Sequence, residues 1–153
     1  KAQPEEFVEL GPEPLEKDFN FKTFEERISK KPNGFVKTVL MDPFVVVGIG
    51  NIYSDEILFA SKVLPDRKIS SLKPIEKRLI FKNIKKILAK GIDFGGDSMS
   101  DYRNPYGEKG NFQLHHQVYS RKGRKCLKRG CKGTILRKVI NGRSAHYCPE
   151  CQK

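Results

Sequence analysis

The chain has 153 residues but no tryptophan, and its first 125 residues contain no cysteine. It also lacks long apolar runs. None exceeds four residues, as at 44–47, whereas a membrane-spanning helix needs about 20 apolar residues in succession. No secretory or targeting pattern is seen at the start. We therefore expect a cytoplasmic protein with no membrane partner and no disulfide framework.

Acidic side chains are scarce where basic ones are dense. Residues 116–153 contain eleven Lys/Arg and one acid, Glu150, whereas residues 1–20 contain six acids and two lysines. The whole chain has 30 Lys/Arg against 18 Asp/Glu, a formal net charge of +12. A concentrated basic region is typical of proteins that bind a polyanion, and nucleic acid is the commonest one. The alternative is a basic surface that only contacts water.

Cysteine, where it does occur, is confined to two short pairs near the C-terminus. Cys126 and Cys131 form a C-x4-C pair, Cys148 and Cys151 form a C-x2-C pair, and sixteen residues separate the pairs. Such short Cys–Cys loops are typical of tetrahedral Zn2+ sites with four thiolate ligands. Two disulfides are the alternative, which the absence of a secretory signal disfavours. We predict a Zn2+ cofactor bound by all four cysteines.

The segment between the cysteine pairs has the pattern of a β-hairpin. Two short β-runs, 135–140 and 144–147, flank Asn141-Gly142, and an Asn-Gly pair favours a tight hairpin turn. A hairpin that carries two cysteine pairs is a zinc ribbon. Histidine is not needed as a fifth ligand, so three side chains are expected on the surface or facing a nucleic acid: His115, His116 and His146.

Helical periodicity is clearest in the middle of the chain. Apolar residues that recur every three or four positions predict four helices, at 21–29, 36–41, 52–61 and 74–90. Gly91 is a suitable end for the last of them. Short strands are predicted at 6–10 and 114–121, and a loop without periodicity at 93–111. The predicted fold class is mainly α with a small β zinc ribbon.

The tetrapeptide Gly48-Ile-Gly-Asn51, which precedes the third helix, has the composition of an anion-binding corner. The first N–H groups of a helix have no partner inside it, and together with the helix dipole they attract anions. Glycine lets the backbone approach a phosphate closely, and the amide of Asn51 adds a donor. The alternative is an ordinary Asn N-cap after a glycine turn. After the third predicted helix the chain makes two turns and enters the basic helix predicted at 74–90. This order favours a helix–two-turn–helix unit.

Seven short motifs, spread from residue 10 to residue 152, together identify a family resemblance. In chain order they are Leu10-Gly-Pro-Glu-Pro-Leu15, Leu40-Met-Asp42, Val47-Gly-Ile-Gly-Asn-Ile-Tyr-Ser-Asp-Glu56, Gly95-Gly96, Gly110-Asn-Phe-Gln113, Gln117-Val-Tyr119 and Gly142-Arg-Ser-Ala-His-Tyr-Cys-Pro-Glu-Cys-Gln152. From about Leu10 to the C-terminus the chain resembles the formamidopyrimidine-DNA glycosylases, with endonuclease VIII as the near relative. The loop at 93–111 is more similar to the former, in which a loop at this point folds over the extruded oxidised purine.

The resemblance implies a bifunctional DNA-repair enzyme. Such an enzyme flips a damaged base, such as 8-oxoguanine or formamidopyrimidine, out of duplex DNA, cleaves its glycosidic bond and nicks the strand by β,δ-elimination. The family's nucleophile is an amino-terminal proline of an N-terminal β-domain, which attacks as a free amine. We expect the present chain to be the C-terminal part of such an enzyme, inactive alone. Its expected parts are a linker at 1–20, a helix–two-turn–helix domain at 21–113 with the lesion-recognition loop 93–111, and a zinc finger at 114–153.

The resemblance also implies roles for individual residues. Asn51, with the backbone of Gly50, would contact a DNA phosphate, and Arg143 at the hairpin tip would grip the phosphates that flank the lesion. A guanidinium suits that role because it is planar, charged and bidentate toward phosphate. In the family this arginine is also named as the proton donor for δ-elimination. Tyr119 is similar to a family tyrosine, and Asn33 stands where many relatives carry a DNA-contacting Lys or Arg.

Some alternatives stay open at this stage. Tyr119 and Tyr53 could equally be core aromatics. The first cysteine pair is wider than the C-x2-C usual in the family, although no ligand is lost. The chain could also be a non-catalytic helix–two-turn–helix and zinc-ribbon module that binds nucleic acid, or a complete enzyme with a lysine nucleophile. The preferred hypothesis predicts a monomer, located with the nucleoid, whose partner is duplex DNA containing a damaged base.

Overall fold

The computed structural model describes residues 10–93, which contain all of its helices, and residues 116–153, which form turns and one β-hairpin. The elements are α1 (Phe21–Ser29), α2 (Val36–Leu40), α3 (Asn51–Ala60), a 3₁₀ turn (Ile69–Ser71), α4 (Pro74–Asp93), β1 (Leu136–Ile140) and β2 (Arg143–Tyr147). The predicted fold, mainly α with a small antiparallel strand pair, is confirmed for these residues. The predicted strand at 6–10, apart from its last residue, and all of the loop 93–111 beyond Asp93 lie outside the described residues.

A side-chain cap starts α1, and apolar residues four positions apart determine which faces of α1 and α4 are buried. In α1, the side-chain oxygen of Asn20 accepts the N–H of Thr23 at 2.9 Å and so caps the first turn. Phe24 and Ile28, four positions apart, point to the same side and are buried. The same spacing places Ile80 and Ile84 of α4 in the core. The core therefore forms where the apolar stripes of α1, α3 and α4 meet, and its buried aliphatic and aromatic members include Phe19, Val36, Val39, Leu40, Ile57, Leu58 and Leu88.

Helix α4 begins at the predicted residue, Pro74, but ends later than predicted. It continues to Asp93, so the predicted stop at Gly91 is wrong. A glycine inside a helix costs only about 1 kcal/mol relative to alanine, which the bonds of the flanking turns offset. At the start of α4, Ile75 is 62% exposed, although its position fits the apolar spacing of the helix.

The segment before α1 is packed against the helices. Phe19 is only 1% exposed and its ring contacts those of Phe24 and Phe81 at centroid distances of 5.9 and 4.8 Å. The N–H of Gly11 donates to the carbonyl of Pro43 at 2.8 Å, and a Cβ on Gly11 would lie 2.4 Å from the carbonyl carbon of Val45. Residues 10–20, which were predicted to be a linker, are thus built into the helical unit.

The hairpin has the predicted turn. Strands β1 and β2 are antiparallel, and Ile140 pairs with Arg143, which leaves Asn141 and Gly142 as the two turn residues. Both have positive φ angles, 49° and 81°. This backbone is the type I′ turn, which matches the twist of the strands and favours Asn-Gly. The turn therefore fixes the register of the two strands and the position of Arg143 at the start of β2.

The predicted strand at 114–121 is wrong for its described part, residues 116–121, which form turns. A strand needs a neighbouring backbone as its hydrogen-bond partner. Here the buried carboxylate of Glu56 accepts the backbone N–H groups instead, and the three donors lie at 2.8, 2.9 and 2.9 Å: Gln117, Val118 and Tyr119. The positive φ of Ser120, 59°, then turns the chain toward the first cysteine pair.

The hairpin part and the helical part share buried contacts. Phe59 of α3 packs with Val118, Ile135 and two of the cysteines. The Gln152 side chain accepts the N–H of Cys148 at 2.7 Å and donates to the carbonyl of Val63 at 2.8 Å. Within the described residues no helix combines the length and the apolar character that crossing a bilayer requires.

The packing of residues 10–20 generates a first prediction. Phe19→Ala should lower the free energy of unfolding by about 3–5 kcal/mol, because a large buried ring leaves a cavity between α1 and α4. Leu15→Ala is the matched control: Leu15 lies in the same segment but is exposed, so its loss should change stability by about 0.5 kcal/mol or less. Urea unfolding followed by circular dichroism measures both. Equal effects would show that the segment is only a linker.

Candidate nucleic-acid interface and metal centre

The Gly48–Asn51 corner is the N-terminus of α3. Gly50 is the N-cap, and no side chain caps the helix by a hydrogen bond. Asn51 is the first residue of the helix, so the alternative of an ordinary Asn N-cap does not apply. The first N–H groups of α3 consequently lack the internal acceptor that a capping side chain gives elsewhere, as Asn20 does for α1.

Nothing inside the described part of the chain requires glycine at position 50. Its φ and ψ, −97° and −167°, suit any residue, and a Cβ built on it would meet no atom within 4 Å. The glycine at 11 differs, because a Cβ there would collide with the backbone at Val45. Gly48 has φ of +93°, which favours glycine for conformational reasons, and it too borders open space. An open glycine at an uncapped helix start suits the close approach of a group from outside the chain.

The side chain of Asn51 adds a second sign of function. Its Oδ1 is buried, yet it has no hydrogen-bond partner among the described residues. Such an unmatched buried oxygen costs about 1–3 kcal/mol. Because a phosphate oxygen is itself an acceptor, only the Nδ2 donor of the same amide could bind a phosphate.

Arg143 lies at the hairpin tip, which is docked on α2. The side-chain amide of Asn141 donates to the hydroxyl oxygen of Thr38 at 2.7 Å. An open depression of about 440 Å³ separates the two elements, and its walls are formed by Lys37, Thr38, Met41, Asp42, Ile140, Asn141 and Arg143. Arg143 itself is exposed at the start of β2. The depression therefore presents a cationic side chain beside a groove of the size that a phosphate group could enter.

Lys37 lies beneath this depression and connects it to α3. The Lys37 ammonium donates to the Asp55 carboxylate at 2.6 Å, to the Ser54 hydroxyl at 2.8 Å and to the Asn51 carbonyl at 3.3 Å. Burial lowers the pKa of Lys37 from its usual value, the Asp55 carboxylate opposes this, and the positive charge of Arg143 lowers it further. With three acceptors at its three protons, the ammonium is the form that the geometry suits.

Asp55 also binds the hairpin. Its Oδ2 accepts the backbone N–H of His146 at 3.0 Å, and the Nδ1 of the same residue lies 2.9 Å away. The histidines were expected on the surface or facing a nucleic acid, and a surface position is wrong for His116 and His146, which are buried. His115 lies outside the described residues. The signal that was missed is the pair Asp55 and Glu56, the two consecutive acids that are the charged residues of α3.

Glu56 forms the second link between α3 and the C-terminal part. Burial raises the pKa of its carboxyl group, and the three backbone N–H groups of 117–119 act in the opposite direction. Because both oxygens accept hydrogen bonds from the backbone, the carboxylate is satisfied as an acceptor. It therefore fixes the position of Tyr119 relative to α3.

The remaining predicted DNA-binding residues are distributed around this centre. The Tyr119 ring makes edge-on contacts with His116 and His146, at centroid distances of 5.6 and 5.0 Å. Tyr53 is half-buried against the helical core. Asn33 is exposed in the turn between α1 and α2. Lys37 thus links the carbonyl of Asn51 to the depression that Arg143 also lines, and Tyr119 lies on the hairpin side of this region.

The four cysteines converge in space. All four Sγ atoms lie within 4.8 Å of one another, and the pairs Cys126–Cys151 and Cys131–Cys148 are each separated by 3.7 Å. Sulfurs joined by a disulfide would be about 2.05 Å apart, so the alternative of two disulfides does not fit. A tetrahedral Zn2+ with Zn–S bonds of about 2.3 Å requires sulfurs about 3.8 Å apart, which agrees with the observed spacing.

The surroundings of the sulfurs also fit a metal centre. The N–H of Lys128 approaches the Sγ of Cys126 at 3.5 Å, and that of Gly133 approaches the Sγ of Cys131 at 3.3 Å. Backbone donors of this kind stabilise thiolate ligands. A Cβ on Gly133 would lie 2.7 Å from the Sγ of Cys148, so only glycine fits beside that ligand. The wider spacing of Cys126 and Cys131 does not prevent their sulfurs from joining the cluster.

Helices around an open Gly–Asn corner, followed by a four-cysteine hairpin, define the helix–two-turn–helix class of DNA-binding proteins. Residues 10–103 match the family model described as the formamidopyrimidine-DNA glycosylase H2TH domain. The formamidopyrimidine-DNA glycosylase of Prochlorococcus marinus (strain MIT 9301) is 46% identical over 144 residues, covering 94% of this chain and 48% of that protein. That of Carboxydothermus hydrogenoformans is 41% identical over 148 residues, covering 97% and 55%.

Solved structures show the same similarity. The MutM (Fpg) protein of Thermus thermophilus superposes with a TM-score of 0.85 at 38% identity, covering 95% of this chain and 54% of that one. The Lactococcus lactis Fpg, in its complex with DNA containing an abasic site, superposes with a TM-score of 0.84 at 36% identity, covering 94% and 52%. The present chain belongs to the formamidopyrimidine-DNA glycosylase family. It spans about half the length of the curated relatives that it matches.

The metal centre generates a second prediction. Cys148→Ser should abolish stoichiometric zinc binding, and it should also lower the melting temperature of the helices, because Asp55 and Glu56 would lose the backbone donors that the folded hairpin part provides. Ser144→Ala, on the same hairpin, is the control and should retain zinc. Elemental analysis and thermal circular dichroism measure the two effects. Helices that melt at the wild-type temperature after zinc loss would contradict the proposed coupling.

Proposed function

We propose that this chain forms the DNA-gripping half of a base-excision-repair glycosylase and AP lyase that acts on oxidised purines such as 8-oxoguanine and formamidopyrimidine. The observation that carries the proposal is the connection between two candidate phosphate sites. Lys37 donates a hydrogen bond to the carbonyl of Asn51 in the open corner, and it lines the same depression as Arg143 at the hairpin tip. Two anion sites held in a fixed relation suit successive phosphates of one DNA strand.

Each residue has a defined part in this proposal. The backbone of Gly50 and the amide of Asn51 bind one phosphate, and Arg143 binds a neighbouring phosphate as a bidentate donor. Tyr119 borders the site from the hairpin side, and Asn33 contributes a weaker, neutral contact from the α1–α2 turn. Zn2+, bound by Cys126, Cys131, Cys148 and Cys151, would supply structural cross-linking of the hairpin and take no part in bond cleavage.

The substrate is suggested by relatives. The Lactococcus lactis Fpg has been solved with DNA containing Fapy-dG and with DNA containing an abasic site. A damaged base is flipped out of the duplex at lower cost than an intact, paired base. The grip would hold the backbone while the base is extruded, and the resemblance to the family's hairpin arginine implies that Arg143 is also the proton donor in δ-elimination.

We assign the nucleophile to the part of the relatives that this chain does not match. Among the described residues, Lys37 is a poor candidate for a lysine nucleophile, although burial lowers the pKa of its amine. Its side chain is 1% exposed and its ammonium is bound by three acceptors, so no substrate carbon could reach it. The identity to curated glycosylases likewise favours the repair enzyme over a free-standing binding module.

The role of Arg143 gives a third prediction. Arg143→Ala should weaken binding to a duplex and reduce the slope of log K against log salt by about one unit, since one phosphate contact is lost. Arg137→Ala is the matched control, because Arg137 is an exposed arginine on β1 of the same hairpin and bonds only to Ser144 there. Fluorescence anisotropy over a salt series measures both slopes. Equal reductions would show that charge alone matters and that position does not.

The open corner gives a fourth prediction. Gly50→Ala should leave the fold intact or slightly stabilise it, because the backbone angles and the surrounding space accept a Cβ. The same change should weaken duplex binding about tenfold, equal to about 1.4 kcal/mol, because the methyl group would hold a phosphate away from the helix N–H groups. Thermal melting and anisotropy on one sample test both parts. Unchanged affinity would mean that no phosphate approaches Gly50.

A further inference from the structure

Three charged or titratable side chains from three different elements meet in the interior where the hairpin joins the helices. Lys37 comes from α2, Asp55 from α3 and His146 from β2. Their side chains are 1%, 0% and 7% exposed. Neither the zinc site nor the core cluster of apolar residues includes them. Apolar side chains could occupy this buried position without the cost of removing charges from water, so the presence of the three polar side chains needs another reason.

The carboxylate of Asp55 divides its two oxygens between the two halves of the interface. Oδ1 accepts from the Lys37 ammonium at 2.6 Å, and Lys37 in turn reaches the carbonyl of Asn51. Oδ2 accepts the backbone N–H of His146 at 3.0 Å. His146 lies three residues after Arg143 on the same short strand, so this bond fixes how far β2 is advanced along α3.

Buried charges of this kind contribute little net stability, because the loss of hydration offsets their attraction. What a fully satisfied buried network does provide is one defined geometry, since each partner accepts only one arrangement. A two-stranded hairpin needs such a constraint. A shift of one residue would turn every side chain of β2 to the opposite face, Arg143 included.

We propose that Asp55 is the positioning residue of the DNA grip, which sets the distance between the phosphate site at Asn51 and the phosphate site at Arg143. Asp55 touches no DNA in this scheme. It acts through Lys37 on the α3 corner and through the backbone of β2 on the hairpin tip. The inference rests on the proposed function, because it presupposes that Asn51 and Arg143 both contact phosphates.

The charge arrangement agrees with this role. Lys37 and Arg143 are both cationic and border the same depression, so they repel each other when no anion is bound. The Asp55 carboxylate offsets the charge of Lys37 from below and leaves Arg143 as the exposed cation. Without that carboxylate, the second cation would push the hairpin tip away from α2.

The test is a double-mutant cycle on the zinc-loaded chain, with a labelled duplex that carries one 8-oxoguanine. Asp55→Asn keeps the size of the side chain but removes its charge and one acceptor. It should weaken duplex binding about tenfold and reduce the salt slope by about one unit. Zinc content should stay at the wild-type value. Combined with Arg143→Ala, it should cause no further loss, because both changes remove the same phosphate contact.

Ser61→Ala is the matched control. Ser61 is also buried in a polar group at the helices, where its hydroxyl donates to the Ile57 carbonyl and accepts from Asn83. Its loss should lower the melting temperature without changing the affinity for DNA, measured well below that temperature. If Asp55→Asn fails to fold, His146→Phe replaces it. This variant retains the backbone N–H bond to Asp55 and should show a smaller loss that is still non-additive with Arg143→Ala.

The outcomes separate the two levels of the account. If Arg143→Ala acts as expected but the Asp55 effect adds to it in full, or if Asp55→Asn changes only the melting temperature, the positioning role is overturned and the proposed function stands. If Arg143→Ala leaves the salt slope unchanged, the proposed function fails, and the positioning role fails with it. Non-additive losses with retained zinc support both.

Discussion

Two neighbouring carboxylates of α3 attach the C-terminal part of the molecule to the helices. Asp55 accepts hydrogen bonds from β2, and Glu56 accepts three from the backbone of 117–119. Because both carboxylates are buried, the loss of these hydrogen bonds would leave acceptors that water does not reach, which costs free energy. The hairpin is consequently held by directional contacts as well as by the apolar packing around Phe59. The position of Arg143, at the far end of that hairpin, depends on them.

The metal centre and the carboxylates have complementary effects. Zn2+ bound by the four clustered cysteines would make the C-terminal part rigid within itself, and Gly133 leaves room for the Sγ of Cys148. The carboxylates determine where that rigid part lies relative to the open corner at Gly50. A grip on a DNA backbone needs both, because a firm arginine at the wrong distance from Asn51 would meet no phosphate.

Features that depend on local sequence were predictable, and those that depend on distant partners were not. The helices followed from apolar periodicity, the turn from Asn141-Gly142, and the clustering of the four cysteines from their spacing. The buried roles of Lys37 and His146 could not be read from the sequence, since a charged residue in a local pattern suggests a solvent-exposed face and its partners lie far along the chain. The false strand at 116–121 has the same origin: its backbone donors bind Glu56, about 60 residues away. The open space around Gly50 likewise exists only in three dimensions.

The central claim is that the α3 corner and the hairpin tip bind one DNA backbone together. Nuclear magnetic resonance of the zinc-loaded chain during titration with a short duplex tests it most directly. The account predicts that the backbone amides of residues 50–52 and the side-chain Nε–H of Arg143 shift together, at one common affinity. Signals from the basic face of α4, at Lys82, Lys85 and Lys86, should change little. Shifts confined to that α4 face, or separate affinities for the corner and the tip, would contradict the account.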